Sequence, residues 1–424
     1  VSPFVILGVG AFFAAVALAV DTSNMWNAQV EMRNATDASV LAAAQALVDD
    51  DLLLDDPSMM AGLIERARQQ AVAYAQVNPV AGRPLKLDPN LAHQPLGDIV
   101  FGHLPGPRAG DFQPAMQLQD PHINAVRIIG RCTRERGNAA GMYFARMFNF
   151  DAADVVASTT AYLDRDVIGF RPRAQKPLPL IPLAVLSDPS FGHEDSWEQQ
   201  VVAPAISDEI GGDDQFAFDR VKGQFRAATD QLGGDRICEM TVHIPLTGQP
   251  EAEGDEPNGC LLQIGDSDWI ALCRQIAGGV SDADLKELGG QFCLGFDNCL
   301  PLGGNLQLPG ADDARLGQLL NALKTVQMSA QPRVWPLFSA AREEEQGGQA
   351  TIVVQGFVAA RLAKVELSTV GEGTKADPKR QELTLTLQPC MMATSTAITD
   401  ARRRDVNPAV DIHNRYICKV RLVE

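Results

Sequence analysis

Charge is missing from the first twenty residues, Val1 to Val20, and no Lys or Arg occurs before Arg33. A secretory signal peptide carries basic residues ahead of its apolar run, so that reading is disfavoured even though Ala17-Leu18-Ala19 resembles a cleavage site. No CxxC pair is present, which removes the usual frame for structural zinc. His193-Glu194 lacks the second histidine of a helical zinc site, and Gly265-Asp266-Ser267-Asp268-Trp269 lacks the closing glycine of a nucleophile elbow. Gly8 and Gly10 lie inside the apolar run, and no other glycine loop fits a phosphate cradle. Asp49, Asp50, Asp51, Asp55 and Asp56 lack the glycine and spacing of a calcium loop and read as a solvated acidic elbow. The six histidines, His93, His103, His122, His193, His243 and His413, are scattered, and there is no internal repeat or low-complexity tract. These absences point away from an enzyme: no catalytic residue, no metal ligand set and no cofactor is expected.

A net charge of −17 and a pI near 4.8 argue against nucleic acid or an anionic membrane surface as partners. A length of 424 residues fits about two domains, and a hydrophobic fraction of 46% is ordinary for a globular chain. The eight cysteines all lie beyond the apolar segment. Their even number predicts four disulfides in an exported protein. Spacing suggests Cys293–Cys299, Cys260–Cys273 and Cys390–Cys418, leaving Cys132–Cys238, although eight cysteines allow 105 pairings.

What is present begins with the apolar run. It reads as helix from Val1 to about Val48, with Pro3 tolerated in the first turn, and is long enough to cross a bilayer. Past Val20 the helix becomes rich in alanine. Met25, Met32, Ser39 and Ala46 form one series at heptad spacing, and Ala28, Ala35 and Ala42 form the other. Small residues on such a seam let helices approach closely. The expected assembly face therefore comprises Phe4, Val5, Ile6, Leu7, Phe12, Phe13, Val16, Leu18, Val20 and Asp21, followed by Met25, Ala28, Met32, Ala35, Ser39, Ala42 and Ala46. A plain transmembrane anchor and a buried core helix are the competing readings. The chain starts at Val1 without an initiator Met, which suggests a start that is processed or truncated just ahead of it.

Ala17-Leu18-Ala19-Val20-Asp21, Asn34-Ala35-Thr36-Asp37-Ala38-Ser39 and Ala42-Ala43-Ala44-Gln45-Ala46-Leu47 resemble the opening of tight-adherence (Tad) pilus proteins of the TadE/TadG-like group. The resemblance is strong over Val1–Val48 and weaker to about Tyr162. It departs at Val5, where type IV and Flp pilins carry Glu, and it lacks the Asp-x-Ser-x-Ser metal motif of some relatives. It implies a structural subunit of an extracellular filament that polymerises with itself through the N-terminal helix. It also implies an inner-membrane-inserted precursor handled by the pilus assembly machinery. A membrane-anchored surface binding protein or pilus-tip adhesin is the alternative.

The rest predicts an α+β protein: a long N-terminal helix (1–48), a pilin-like head region (49–170), a proline-rich linker (171–179) and a β-rich C-terminal domain (180–424). Asp56 and Pro57 open a second helix, with Met60, Leu63, Ile64, Ala67, Ala71 and Tyr74 at helical period, ending at Asn78-Pro79. Strands are expected at 126–133, 155–163, 240–245, 350–360, 382–388 and 416–423, and helices at 139–147, 269–278, 283–288 and 314–328. On this division, removing Val1–Val48 should leave a folded, soluble head.

Overall fold

The computed structural model describes residues 3–54, 56–173, 176–187, 195–206, 212–229, 233–246, 257–265, 268–305, 313–343, 349–370, 380–400 and 413–423. Val1, Asp55, His193, Glu194, Asp266 and Ser267, named above, and residues 174–175 of the expected linker lie outside the described residues, as does the side chain of Ile6. The chain forms two compact units: Val1–Asp164 with Val420–Glu424, and Arg165–Lys419.

The first unit opens with a helix of 44 residues, α1 (Pro3–Ala46), and an acidic 3-10 turn at Asp50–Leu54. Helix α2 (Pro57–Val77) starts where Asp56 accepts the Ser58 N–H at 2.9 Å, with Pro57 at the first helical position. Its residues Met60, Leu63, Ile64, Ala67 and Ala71 are buried, while Tyr74 stays exposed. Strands follow: β1 (Pro79–Val80), β2 (Arg83–Pro84), β3 (Ile99–His103), β4 (Gln113–Pro114), β5 (Ala125–Cys132), β6 (Ala140–Gly141), β7 (Ala152–Ala153) and β8 (Val155–Asp164). An antiparallel sheet runs β8-β5-β3-β4, and the C-terminal strand lies beside β8 at its other edge.

Only the second half of α1 belongs to this core. Ala28, Met32, Ala35, Ser39, Val40, Ala43, Ala44 and Leu47 are buried, and the helix packs on β5, β8 and α2. Met25, Ala42 and Ala46 are half-buried. Ala28, Met32, Ala35 and Ser39 of the expected intersubunit seam are thus enclosed within one chain, a correction to the assembly face drawn from the sequence. Opposite Met32 and Thr36 on this face stands Gly130 of β5. A Cβ there would lie 2.6 Å from the Met32 Sδ and 2.7 Å from the Thr36 Cγ2. Gly130→Val should push the helix off the sheet and cost about 1–3 kcal/mol, read as a lower urea midpoint for this unit.

The second unit contains β9 (Val167–Phe170), β10 (Leu183–Leu186), a π-helical turn at Glu198–Val202 running into α3 (Ala203–Ile206), β11 (Phe216–Asp219), β12 (Gln224–Ala227), β13 (Met240–Pro245) and β14 (Gly259–Leu262). Next come α4 (Trp269–Gly278), β15 (Phe292–Cys293), β16 (Leu300–Asn305), α5 (Asp313–Ser329), β17 (Arg333–Glu343), β18 (Gln349–Val370) and β19 (Arg380–Pro389). It ends in β20 (Met392–Ala393), β21 (Ala397–Thr399) and the strand β22 (Ile417–Val423), whose last residues return to the first unit. The main sheet runs β13-β19-β18-β16-β14-β10-β17, and β17 also pairs with β18. β18, β16, β14, β10 and β17 therefore close into a ring. On β19, Leu383, Leu385 and Leu387 are buried, as their alternation with threonines predicts.

Two expected helices are different. Residues 139–147 hold β6 and a 3-10 turn at Ala145–Phe148, because the backbone donors of Tyr143, Phe144 and Ala145 are taken by a carboxylate of α1. Residues 283–288 keep only a 3-10 turn at Lys286–Leu288, closed by Gly289 and Gly290 at positive φ. None of the four expected disulfides is closed in the structure. Cys132 and Cys238 belong to different units, and Cys260 is fully enclosed on β14. Burial pushes the thiols of Cys132, Cys238, Cys260, Cys273 and Cys299 upward.

Candidate membrane helix and its aromatic junction

The first half of α1 stands uncovered. Phe4 is 84% exposed, Leu7 72% and Leu18 70%, and Val5, Val9, Phe12, Phe13, Val16 and Val20 are exposed as well. This stretch is long and apolar enough to cross a membrane, and none of it is buried within the chain. Fully covering nine such side chains is worth on the order of 20 kcal/mol. That exceeds the roughly 5–15 kcal/mol by which a whole domain is stable, so a lipid or protein environment for this half is strongly favoured over water.

Asp21 ends the uncharged run, and its side chain is turned into the first unit. One carboxylate oxygen accepts the Tyr143 N–H at 2.7 Å, the other accepts the Ala145 N–H at 2.6 Å, and the Phe144 N–H is shared between them. Asn24 adds a bond from its Nδ2 to the Gly141 carbonyl at 2.8 Å. The loop Met142–Phe150 is thereby fastened at the helical turn where the apolar run stops. Burial by itself would raise the Asp21 carboxyl, but the backbone donors of Ala145, Tyr143 and Phe144 hold it below the usual carboxylate range. A lowered value means the clasp is complete above the ordinary pKa near 3.8 and opens as pH falls through the folded one. Relative to the intrinsic rate at each pH, the Tyr143–Ala145 amides should therefore be strongly protected from hydrogen exchange at neutral pH and lose that protection as pH falls through the folded value. In Asp21→Ala their protection should be low at every pH.

Polar clusters also occur away from this junction. In the elbow, Arg66 of α2 pairs with Asp49 at 2.9 Å and Asp51 at 3.2 Å. Among the described residues no group of three His, Cys, Asp or Glu side chains is placed to hold a metal ion. His93 and His103 meet the carbonyls of Ala115 and His122, His243 meets Glu382 at 2.6 Å, and His413 faces Asp166 at 3.6 Å. The second unit has a cleft of about 450 Å³ lined by Trp197, Phe357, Asp297, His413 and Tyr416, with the Trp197 indole donating to the Tyr416 hydroxyl at 3.1 Å.

An acidic group lies elsewhere in that unit. Glu239 accepts the N–H groups of Gln215 and Phe216, and burial, abetted by Asp214 and Asp235, pushes it up to about 8. For a carboxyl raised from its ordinary 4.5, stability is full at low pH and drains away as pH rises toward 8. Glu239→Gln removes the titration but turns an amide nitrogen, which cannot accept, toward one of the two backbone N–H groups. It should cost about 1–3 kcal/mol at pH 4 and abolish the fall in stability between pH 4 and pH 8, read by thermal melting.

The matched region in known proteins is α1. Residues 1–46 match the model of a family described as putative Flp pilus-assembly TadE/G-like. No curated protein and no solved structure matches the chain. The Tad-like match ends at Ala46, the last residue of α1, so it covers both the uncovered apolar half and the half packed on the sheet. It agrees with a pilus-associated, membrane-anchored or surface protein, and its description is of assembly rather than catalysis. Sequence reasoning found the Tad-like helix but missed the loop that clasps it. The signal available was the density of aromatic and Met residues in Met142-Tyr143-Phe144-Ala145-Arg146-Met147-Phe148-Asn149-Phe150, which overlaps the short helix expected at 139–147.

Proposed function

We propose that this chain is a structural subunit of an extracellular Tad-type pilus, inserted in the inner membrane as a precursor through Phe4–Val20 and transferred by the pilus assembly machinery. In the filament the same stretch contacts its copies in neighbouring subunits, so that lipid is exchanged for protein around the helix. The observation that carries this reading is the split in α1: one half uncovered and uncharged, the other half locked into a folded unit. The intersubunit surface is then Phe4–Val20, and the buried part of the alanine seam serves the chain's own fold. With Val5 in place of the usual Glu, register between subunits has to come from shape and from the exposed parts of the first unit. Immunogold labelling of fibres sheared from the cell surface tests this. Label along regular fibres is expected; label confined to a detergent-extracted membrane fraction would overturn it.

A second reading is a membrane-anchored surface binding protein. The cleft in the second unit favours it, since about 450 Å³ lined by aromatic and polar side chains suits a small ligand. The same labelling separates the two, because an anchored monomer gives no fibre.

A further inference from the structure

We infer that the loop Met142–Phe150 is an interfacial lipid-binding collar: its aromatic and Met side chains enter the headgroup boundary of the bilayer at the level where α1 leaves it. The inference rests on Phe4–Val20 lying in a membrane before assembly.

The loop exposes Tyr143 (62%), Met147 (78%), Phe148 (76%) and Phe150 (62%), with Phe144 also exposed. So many large apolar side chains on one short exposed loop form a patch that calls for a partner. What covers it follows from where it is fixed. Asp21 holds the backbone of Tyr143, Phe144 and Ala145 at the first charged position after the uncharged run. Tyr143 shares a groove with Val16, Ala19, Val20 and Asn24, the last turns of that run and the first beyond it. If lipid surrounds Phe4–Val20, its boundary falls at this turn, and the loop is held beside the helix at that depth. Chemistry agrees with position. Aromatic rings are enriched at membrane–water interfaces, and Arg146, the loop's one charged residue, can reach lipid phosphates while its stem stays apolar. Asp21 itself needs no water at this depth, since backbone N–H groups already satisfy it. The attraction is insertion of apolar surface rather than attraction to negative lipid, which suits a chain of net charge −17.

The test uses the full chain in phosphatidylcholine vesicles, first washed with alkaline carbonate. Hydroxyl-radical footprinting then reads the oxidation of Met147 against two internal standards, Met116 and Met328, which are 100% and 77% exposed. Met147 should be oxidised roughly fivefold more slowly than either. Phe148→Ser with Phe150→Ser removes the inserting rings at exposed positions, leaves the fold alone and should restore the rate. A chain that washes off with carbonate overturns the membrane reading and the collar together. A chain that stays while Met147 oxidises as fast as Met116 overturns the collar alone. Protection that persists in the double serine variant, or that occurs only in assembled fibres, assigns the loop to protein contacts and likewise overturns lipid binding.

Discussion

Deleting residues 1–20 is expected to yield a folded protein that needs no detergent, whereas deleting residues 1–48 should unfold the first unit. The difference lies in residues 21–47. Met32, Val40 and Leu47 are fully enclosed, together with Ala28, Ala35, Ala43 and Ala44, where α1 packs on β5, β8 and α2. The three larger side chains alone bury about 5–9 kcal/mol of apolar contact, comparable to the whole stability of a domain. Their loss also uncovers Ile128 and the other buried residues of the sheet. The polar links go with them: Thr36 to Thr159 at 3.1 Å, Thr159 to Asp37 at 2.8 Å, and the Asp21 clasp. Calorimetry of the shorter deletion should show the melting of both units. In the longer one the first unit's transition should vanish while the second persists, because the ring of β18, β16, β14, β10 and β17 has its own core. A fully folded first unit after the longer deletion would show that α1 is an appendage, as the sequence division had it.

That division illustrates what a sequence can and cannot disclose here. Heptad spacing of small residues states that something packs closely against Ala28 and Ala35. It does not state whose surface that is, because the strand that takes the helix, with Gly130 against Met32 and Thr36, is distant in sequence and reads like any other. Local signals fared better where the physics is local. Asp56 before Pro57 marked a helix start, and Trp269–Gly278 and Met240–Pro245 have the bounds their patterns predict. Residues 139–147 misled because their donors are claimed from far along the chain by Asp21, which no periodicity can register. The cysteines misled differently. An even count suits bridges, but burial of Cys260 on a central strand is a property of the closed ring and is invisible in spacing. The apolar run was legible because length and lack of charge are its whole signal.

The sharpest single-residue effect is expected at Asp98→Ala. The Asp98 side chain is fully buried beside β3, where it accepts from Arg131, from Arg136 at 2.5 and 2.9 Å, and from the Asp88 N–H at 2.9 Å. That hydrogen bond to Asp98 holds the Arg136 guanidinium above its ordinary value. Arg131 also donates to the Leu96 carbonyl at 2.9 Å, so the network ties the loop before β3 to β5, the strand on which α1 lies. Truncating the acid strands two guanidiniums and a backbone donor. Removing one member of a buried pair typically costs 3–5 kcal/mol. The lower end applies here, because both arginines keep part of their solvent, with side chains 23% and 33% exposed. For a unit of this size that is a fall in melting temperature of about 10 °C. Asp98→Leu combined with Arg131→Met and Arg136→Met should recover most of the loss, since a buried ion network is rarely better than the apolar packing that could replace it. A cost below about 1 kcal/mol in Asp98→Ala would mean that solvent reaches the arginines and that the sheet under α1 is held by packing alone.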